Sequence, residues 1–228
     1  MWNSLSFMEF YNILNIIKNT LLPAENVDNT DDEWLNKLIT KVKNYKNEDK
    51  EINFKIVELK SNGFLVKIEG LFAYVSFNRM PWVYEITNFW ALIFPYIKYK
   101  VFRGKIDSIL EPNDNLSHHR IFVYGVLNKS FVPNFKQNKR YSCIMLKRVD
   151  KGVLVDFGYY FMWRSGSIIE FIPSDNFDSE LFVFYEPGDA IELIYYGLDS
   201  NGNRIFGNNN ELTNKVDGVI AKELGDNV

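Results

Sequence analysis

An internal repetition constrains this chain more than any other feature. Asn62-Gly63-Phe64-Leu65-Val66-Lys67-Ile68-Glu69-Gly70 carries a Gly-apolar-Leu-Val-charged-apolar pattern that returns at Lys151-Gly152-Val153-Leu154-Val155-Asp156-Phe157-Gly158. A second landmark recurs at a similar distance, since Arg120-Ile121-Phe122 is echoed by Arg204-Ile205-Phe206. Gly152 lies 89 residues after Gly63 and Arg204 lies 84 after Arg120, a mismatch that loops absorb. Two copies are too few for an extended solenoid, so each must close a core of its own.

The length allows this. A chain of 228 residues with 46% apolar content can build two compact domains and an extension. The single cysteine, Cys143, excludes an intrachain disulfide, and its place in an apolar, strand-like run marks it as a buried small hydrophobe rather than a nucleophile. Glu9 and Asn12 interrupt the apolar N-terminal stretch, which lacks a basic leader and a small-residue cleavage pattern, so no signal peptide is expected. No apolar run reaches membrane-spanning length, and the default expectation is a reducing, cytoplasmic location.

The net charge is −3, but the charges are segregated. Residues 51–170 hold 17 basic and 10 acidic side chains, residues 171–228 hold 3 and 11, and residues 1–50 hold 6 and 8. Such a distribution either creates a local positive field or is neutralised by packing of the acidic third against the basic middle.

Ser6-Phe7-Met8-Glu9 has the Ser-x-x-Glu form of a helix start, and the helix it opens must stop before Pro23. Thr30-Asp31-Asp32-Glu33 repeats the device, after which Trp34, Leu35, Leu38, Ile39, Val42 and Tyr45 recur at helical spacing. From Ile52 the period falls toward two between turn signals at Ser61-Asn62-Gly63 and Glu69-Gly70. Strands are predicted over 52–60, 63–69, 71–77, 97–110 and 119–127, and again over 140–149, 152–158, 167–172, 189–198 and 203–207. Between the third and fourth strands, Met80 to Tyr96 holds Trp82, Phe89, Trp90 and Phe94 and suits a short helix plugging a barrel end; its counterpart is 173–187. Gly207 to Asn210 is a loop, and Glu211 to Leu224 is a short helix or a frayed tail.

Five short strands with a capping element before the fourth are what a five-stranded OB barrel requires. The second copy resembles the OB-fold RNA-binding domain named for the first protein of the small ribosomal subunit, the S-one type. Gly152, Val155, Asp156, Phe157 and Gly158 match its Gly-x-x-Val-Asp-Leu-Gly segment, and Gly188-Asp189 matches the Gly-Asp before its fourth strand. In the first copy Ala73-Tyr74-Val75-Ser76 resembles the third-strand motif, with Tyr74 where the family has histidine; in the second copy that place falls near Glu170. The usual second-strand stacking aromatic is Leu65 in one copy and Leu154 in the other, and Tyr159 to Ser165 interrupts the second. The resemblance covers residues 52–207 at most. It implies non-catalytic binding of single-stranded RNA by aromatic stacking and phosphate contacts.

On the third strand, alternation turns Leu71, Ala73, Val75 and Phe77 inward and Phe72, Tyr74 and Ser76 outward, while Lys67 opposes Phe64, Val66 and Ile68. Phe72, Tyr74 and Lys67 therefore form a candidate stacking platform, with Arg79, Arg103 and Lys105 as phosphate contacts. The competing assignment covers Phe72 and Tyr74 with the N-terminal helices or the second domain. In the second copy Asp156 stands in the place of Lys67, making a poorer nucleic-acid site. Its Tyr159-Tyr160-Phe161-Met162-Trp163-Arg164 run is either an exposed loop that anchors a protein through Tyr159, Tyr160, Trp163 and Arg164, or barrel filling.

Catalytic signals are sparse. His118 and His119 are adjacent in a loop-like context, and with Asp114 they lack the separated ligands of a stable metal site. Ser165-Gly166-Ser167 lacks the flanks of a nucleophile elbow, and no phosphate-binding or dinucleotide glycine motif occurs. The expectation is a mainly β chain: a helical extension over 1–50, tandem five-stranded OB-like barrels over 51–130 and 139–208, and a tail over 209–228. It is expected to act as a binding protein without enzyme activity, metal or cofactor, with single-stranded RNA as partner. The alternative is a protein-interaction module, an adaptor or acidic inhibitor, using residues 159–164 and the acidic C-terminal third.

Overall fold

The computed structural model describes residues 30–113 and 118–209. The helix expected from Ser6, the residue Asp114 and the tail from Glu211 lie outside them. The chain divides into two compact units between Lys41 and Val42, and both barrels belong to the second. Helix α1 (Thr30–Asn47) runs through the predicted amphipathic stretch, with Ile39 and Val42 buried three residues apart on one face.

The first barrel comprises β1 (Ile52–Lys60), β2 (Gly63–Ile68), β3 (Leu71–Ser76), helix α2 (Phe89–Ile97), β4 (Val101–Leu110) and β5 (Arg120–Gly125). Its strands close in the order β1-β2-β3-β5-β4, the last gap being bridged by a parallel pairing of Tyr74 with Phe122. Alternation along β2 and β3 buries Phe64, Val66, Ile68, Ala73 and Val75. Helix α2 occupies the place expected for a plug and buries Phe89, Trp90, Ile93 and Ile97. The Phe64 ring meets Trp90 edge-on at 5.5 Å, joining the helix to the barrel core. Because this helix runs on through Ile97, β4 starts at Val101 rather than at residue 97.

The second copy comprises β6 (Lys139–Val149), β7 (Gly152–Asp156), β8 (Ile169–Pro173), the single-turn helix α3 (Ser179–Phe182), β9 (Ala190–Leu198) and β10 (Arg204–Gly207). Its strand order, β10-β9-β6-β7-β8, is the first copy's order with the final seam left without a ladder. Register accounts for the seam. Val66 pairs with Ala73 in the first copy and Val155 pairs with Glu170 in the second, so a glutamate occupies the inward alanine position. Glu170 then meets Arg204 of β10 at 2.5 Å across the gap. Phe135, from the segment joining the copies, packs on Phe157, Phe206 and Tyr141 of the second core.

Two further features show that the copies share one design. The β1–β2 ladder shifts register between Ile56 and Glu58, and the β6–β7 ladder shifts between Met145 and Lys147, each 89 residues on. Gly63 and Gly152 open their strands for the same reason: a Cβ on Gly63 would run into the carbonyl oxygen of Val75, and one on Gly152 into that of Ile172. Cys143 is fully buried, and burial pushes its thiol well above the ordinary value.

Candidate nucleic-acid interface

Outward positions of β2, β3 and β5 form a continuous strip on the first barrel. Lys67 stands opposite Phe72, and its ammonium lies 5.0 Å from the Phe72 ring centroid, within cation–π reach. Tyr74 follows two residues along β3 and meets Phe122 of β5 edge-on, ring centroids 6.1 Å apart. Phe72, Tyr74 and Phe122 are all half-buried, while Lys67 is exposed. Partial burial raises the Tyr74 phenol above its ordinary value, so it stays a neutral hydrogen-bonding group. Leu65, where the resemblance expects a stacking aromatic, pairs with Tyr74 and is itself buried.

The other three expected phosphate contacts lie elsewhere, each beside a carboxylate. Arg79 is 3.8 Å from Asp107. Arg103 pairs with Glu51, and Lys105 with Asp49. These are solvent-exposed pairs of small net worth, which a polyanion can displace. His119 contacts Glu111 at 2.7 Å, and Lys43 beside Glu111 holds that carboxyl below the usual carboxylate range. Among the described residues no three His, Cys, Asp or Glu side chains gather into a metal site.

The Tyr159–Arg164 run divides between both assignments made for it. Met162 and Trp163 adopt left-handed backbone conformations at φ 54° and 52°, uncommon for side chains of this size. This turn carries Trp163 inward to 3% exposure, so its expected role as an exposed anchor is corrected: it belongs to the contact between the barrels. There it stacks on Trp82 at 5.9 Å, interplanar angle 8°, and donates from Nε1 to Asp156 Oδ2 at 2.9 Å. The same carboxylate accepts from Tyr84 of the first copy, and its Oδ1 accepts from the backbone N–H groups of Gly158 and Ile168, both at 2.7 Å. Burial, reinforced by the Asp156 charge and hydrogen bond, pushes the Tyr84 phenol far above its ordinary value. Phe161 packs on the second core, whereas Tyr160, Met162 and Arg164 remain exposed.

Beside this contact the barrels leave an open cleft of about 720 Å³. Tyr96, Lys100 and Arg103 line it from the first copy, and Tyr159, Tyr160 and Arg164 from the second. Arg103 thus parts from Lys67, Phe72 and Tyr74 and joins residues expected to meet a protein. Sequence reasoning passed over Tyr84 and Lys100; the one available signal was the change from Lys67 to Asp156 at equivalent positions. Register also moves one correspondence. Leu65 pairs with Tyr74 and Leu154 with Phe171, so Phe171, not Glu170, occupies the place of Tyr74. It is 46% exposed.

No described helix is long and apolar enough to cross a membrane. No family model matches the sequence, and no curated protein matches it. Among solved structures, the chain is similar to a multidomain protein with nucleic acid binding domains from Streptococcus pneumoniae TIGR4, at 12% identity and a TM-score of 0.26 over 73% of this chain and 47% of that one. It is also similar to Drosophila Unr CSD456, at 11% identity and a TM-score of 0.22 over 70% of this chain and 61% of the other. The chain thus spans about half of the first and three-fifths of the second.

Proposed function

We propose that this protein is a non-enzymatic binding protein that recognises single-stranded RNA on the β2–β3–β5 face of its first barrel. The observation that carries the reading is the strip in which Lys67 caps Phe72 and Tyr74 abuts Phe122, four outward side chains on the face that OB barrels use for ligands. Flat rings stack on unpaired bases of any sequence, and the ammonium meets the backbone between them. Arg79 and Lys105 exchange their exposed carboxylates for phosphates as the strand follows the barrel.

Fluorescence anisotropy of labelled mixed-sequence RNA across a salt series tests this, with DNA of the same sequence as a parallel arm. Tyr74→Ala should weaken binding by about 1–3 kcal/mol, and Lys67→Ala should flatten the salt dependence by about one phosphate contact. Phe72→Ala serves as a second ring deletion if Tyr74→Ala perturbs the fold. Absence of binding at low salt, or affinity unmoved by all three substitutions, overturns the reading and leaves the protein-interaction alternative.

A further inference from the structure

We infer that the cleft between the two barrels is a second and separate site, built for a nucleotide. Three features select that chemistry together. The cleft is concave and of ligand size, at about 720 Å³. Lys100, Arg103 and Arg164 line it, and no aspartate or glutamate among the described residues does. No carboxylate among the described residues pairs with Lys100 or Arg164, so both are available to a phosphate. The walls beside these cations are aromatic. Tyr96 is fixed by donating to the Gly188 carbonyl at 2.8 Å and holds Tyr159 edge-on at 5.1 Å, while Tyr160, packed edge-on against Tyr141, is 38% exposed.

Cations alone would suit any anion, and rings alone any apolar group. Their combination in a walled site suits a ligand carrying both a phosphate and a flat ring, with Asn128 and Ser142 on the lining as uncharged groups for the ring's polar edge. An acidic peptide would satisfy the cations and leave the tyrosines idle. The site uses neither Lys67, Phe72, Tyr74 nor Phe122, so it does not depend on RNA recognition by the first barrel. It also gives a purpose to the left-handed turn at Met162 and Trp163, which sets Tyr160 and Arg164 on either side of a buried anchor.

Free nucleotides and nucleotide units within a strand share this chemistry. Titration calorimetry of the full chain with the four ribonucleoside 5′-monophosphates, the matching nucleosides and a pentanucleotide separates them. Lys100→Ala and Arg164→Ala are expected to weaken nucleotide binding about tenfold each, and Tyr160→Ala to weaken it where Tyr160→Phe does not. Nucleosides should bind more weakly than nucleotides, and Tyr74→Ala should leave mononucleotide affinity unchanged. Binding of the pentanucleotide alone, still dependent on Lys100 and Arg164, identifies the strand as the source. If no nucleotide binds and pentanucleotide affinity is indifferent to Lys100 and Arg164, the inference fails. If binding follows Tyr74 alone, it also fails while the first-barrel reading stands; the reverse pattern sinks that reading and keeps this one.

Discussion

Replacing Asp156 by asparagine tests the contact that joins the two copies. The carboxylate accepts four hydrogen bonds, two backbone N–H groups on Oδ1 and the Tyr84 hydroxyl and Trp163 indole on Oδ2, with no exposure to water. Asparagine is nearly isosteric but offers only one acceptor oxygen. Its amide must therefore face one of the two donor pairs. Facing Tyr84 and Trp163, it lets the hydroxyl turn and accept, but the indole N–H, a donor only, loses its carboxylate partner. Facing Gly158 and Ile168, it strands two backbone donors. Either way at least one hydrogen bond to a charged group is lost and one buried donor is left poorly satisfied, a combined cost of about 3–5 kcal/mol. For a unit of this size that lowers Tm by roughly 10 °C. Urea denaturation followed by tryptophan emission reports it directly, because Trp82 and Trp163 stack within the affected contact. A variant within about 0.5 kcal/mol of the parent would refute the reasoning, since changes of that size are ordinary for surface positions.

Tyr84→Phe should cost about 1.5–3 kcal/mol at neutral pH by deleting one hydrogen bond to the carboxylate. It should also alter the alkaline limb. A phenol raised above its ordinary value of 10.0 contributes stability that is complete below about pH 10 and is lost as pH climbs beyond it, because only the unfolded chain then ionises. Tm measured from pH 8 to 11 should fall more steeply for the parent than for Tyr84→Phe; parallel curves would count against the assignment. Gly63→Ala and Gly152→Ala each drive a methyl into the carbonyl of the neighbouring strand, so each should destabilise by about 1–3 kcal/mol in a denaturant titration. A neutral result at either position would show that the third strand yields freely.

Much of this architecture is legible in the chain because it rests on local periodicity. Alternation places nearly every strand to within a few residues, and the aromatic-rich stretch before the fourth strand identifies the plug. What escapes is pairing between residues distant in sequence. Tyr84 and Asp156 are 72 residues apart, and nothing local to either announces the other. The insertion after Asp156 also defeats simple offsets: β7 keeps the 89-residue displacement, whereas Phe171 lies 97 residues after its counterpart Tyr74. A one-residue error in a strand exchanges faces, so it mistakes an inward glutamate for the outward aromatic. The candidate platform was legible because Phe72, Tyr74 and Lys67 sit on regular strands. The cleft was not, since its walls come from two copies and one irregular turn.

The asymmetry between Lys67 and Asp156 gives the contact between the copies a direction. The contact is head-to-tail: the first copy presents Tyr84 from the connector after its third strand, and the second presents a carboxylate at the end of its second strand. Identical copies making such a contact would each keep an unused partner surface, and molecules could join into an open-ended fibre. With lysine at the corresponding position, the first copy lacks the carboxylate through which the second receives Tyr84. The contact is therefore one that the chain makes once, from its first copy to its second.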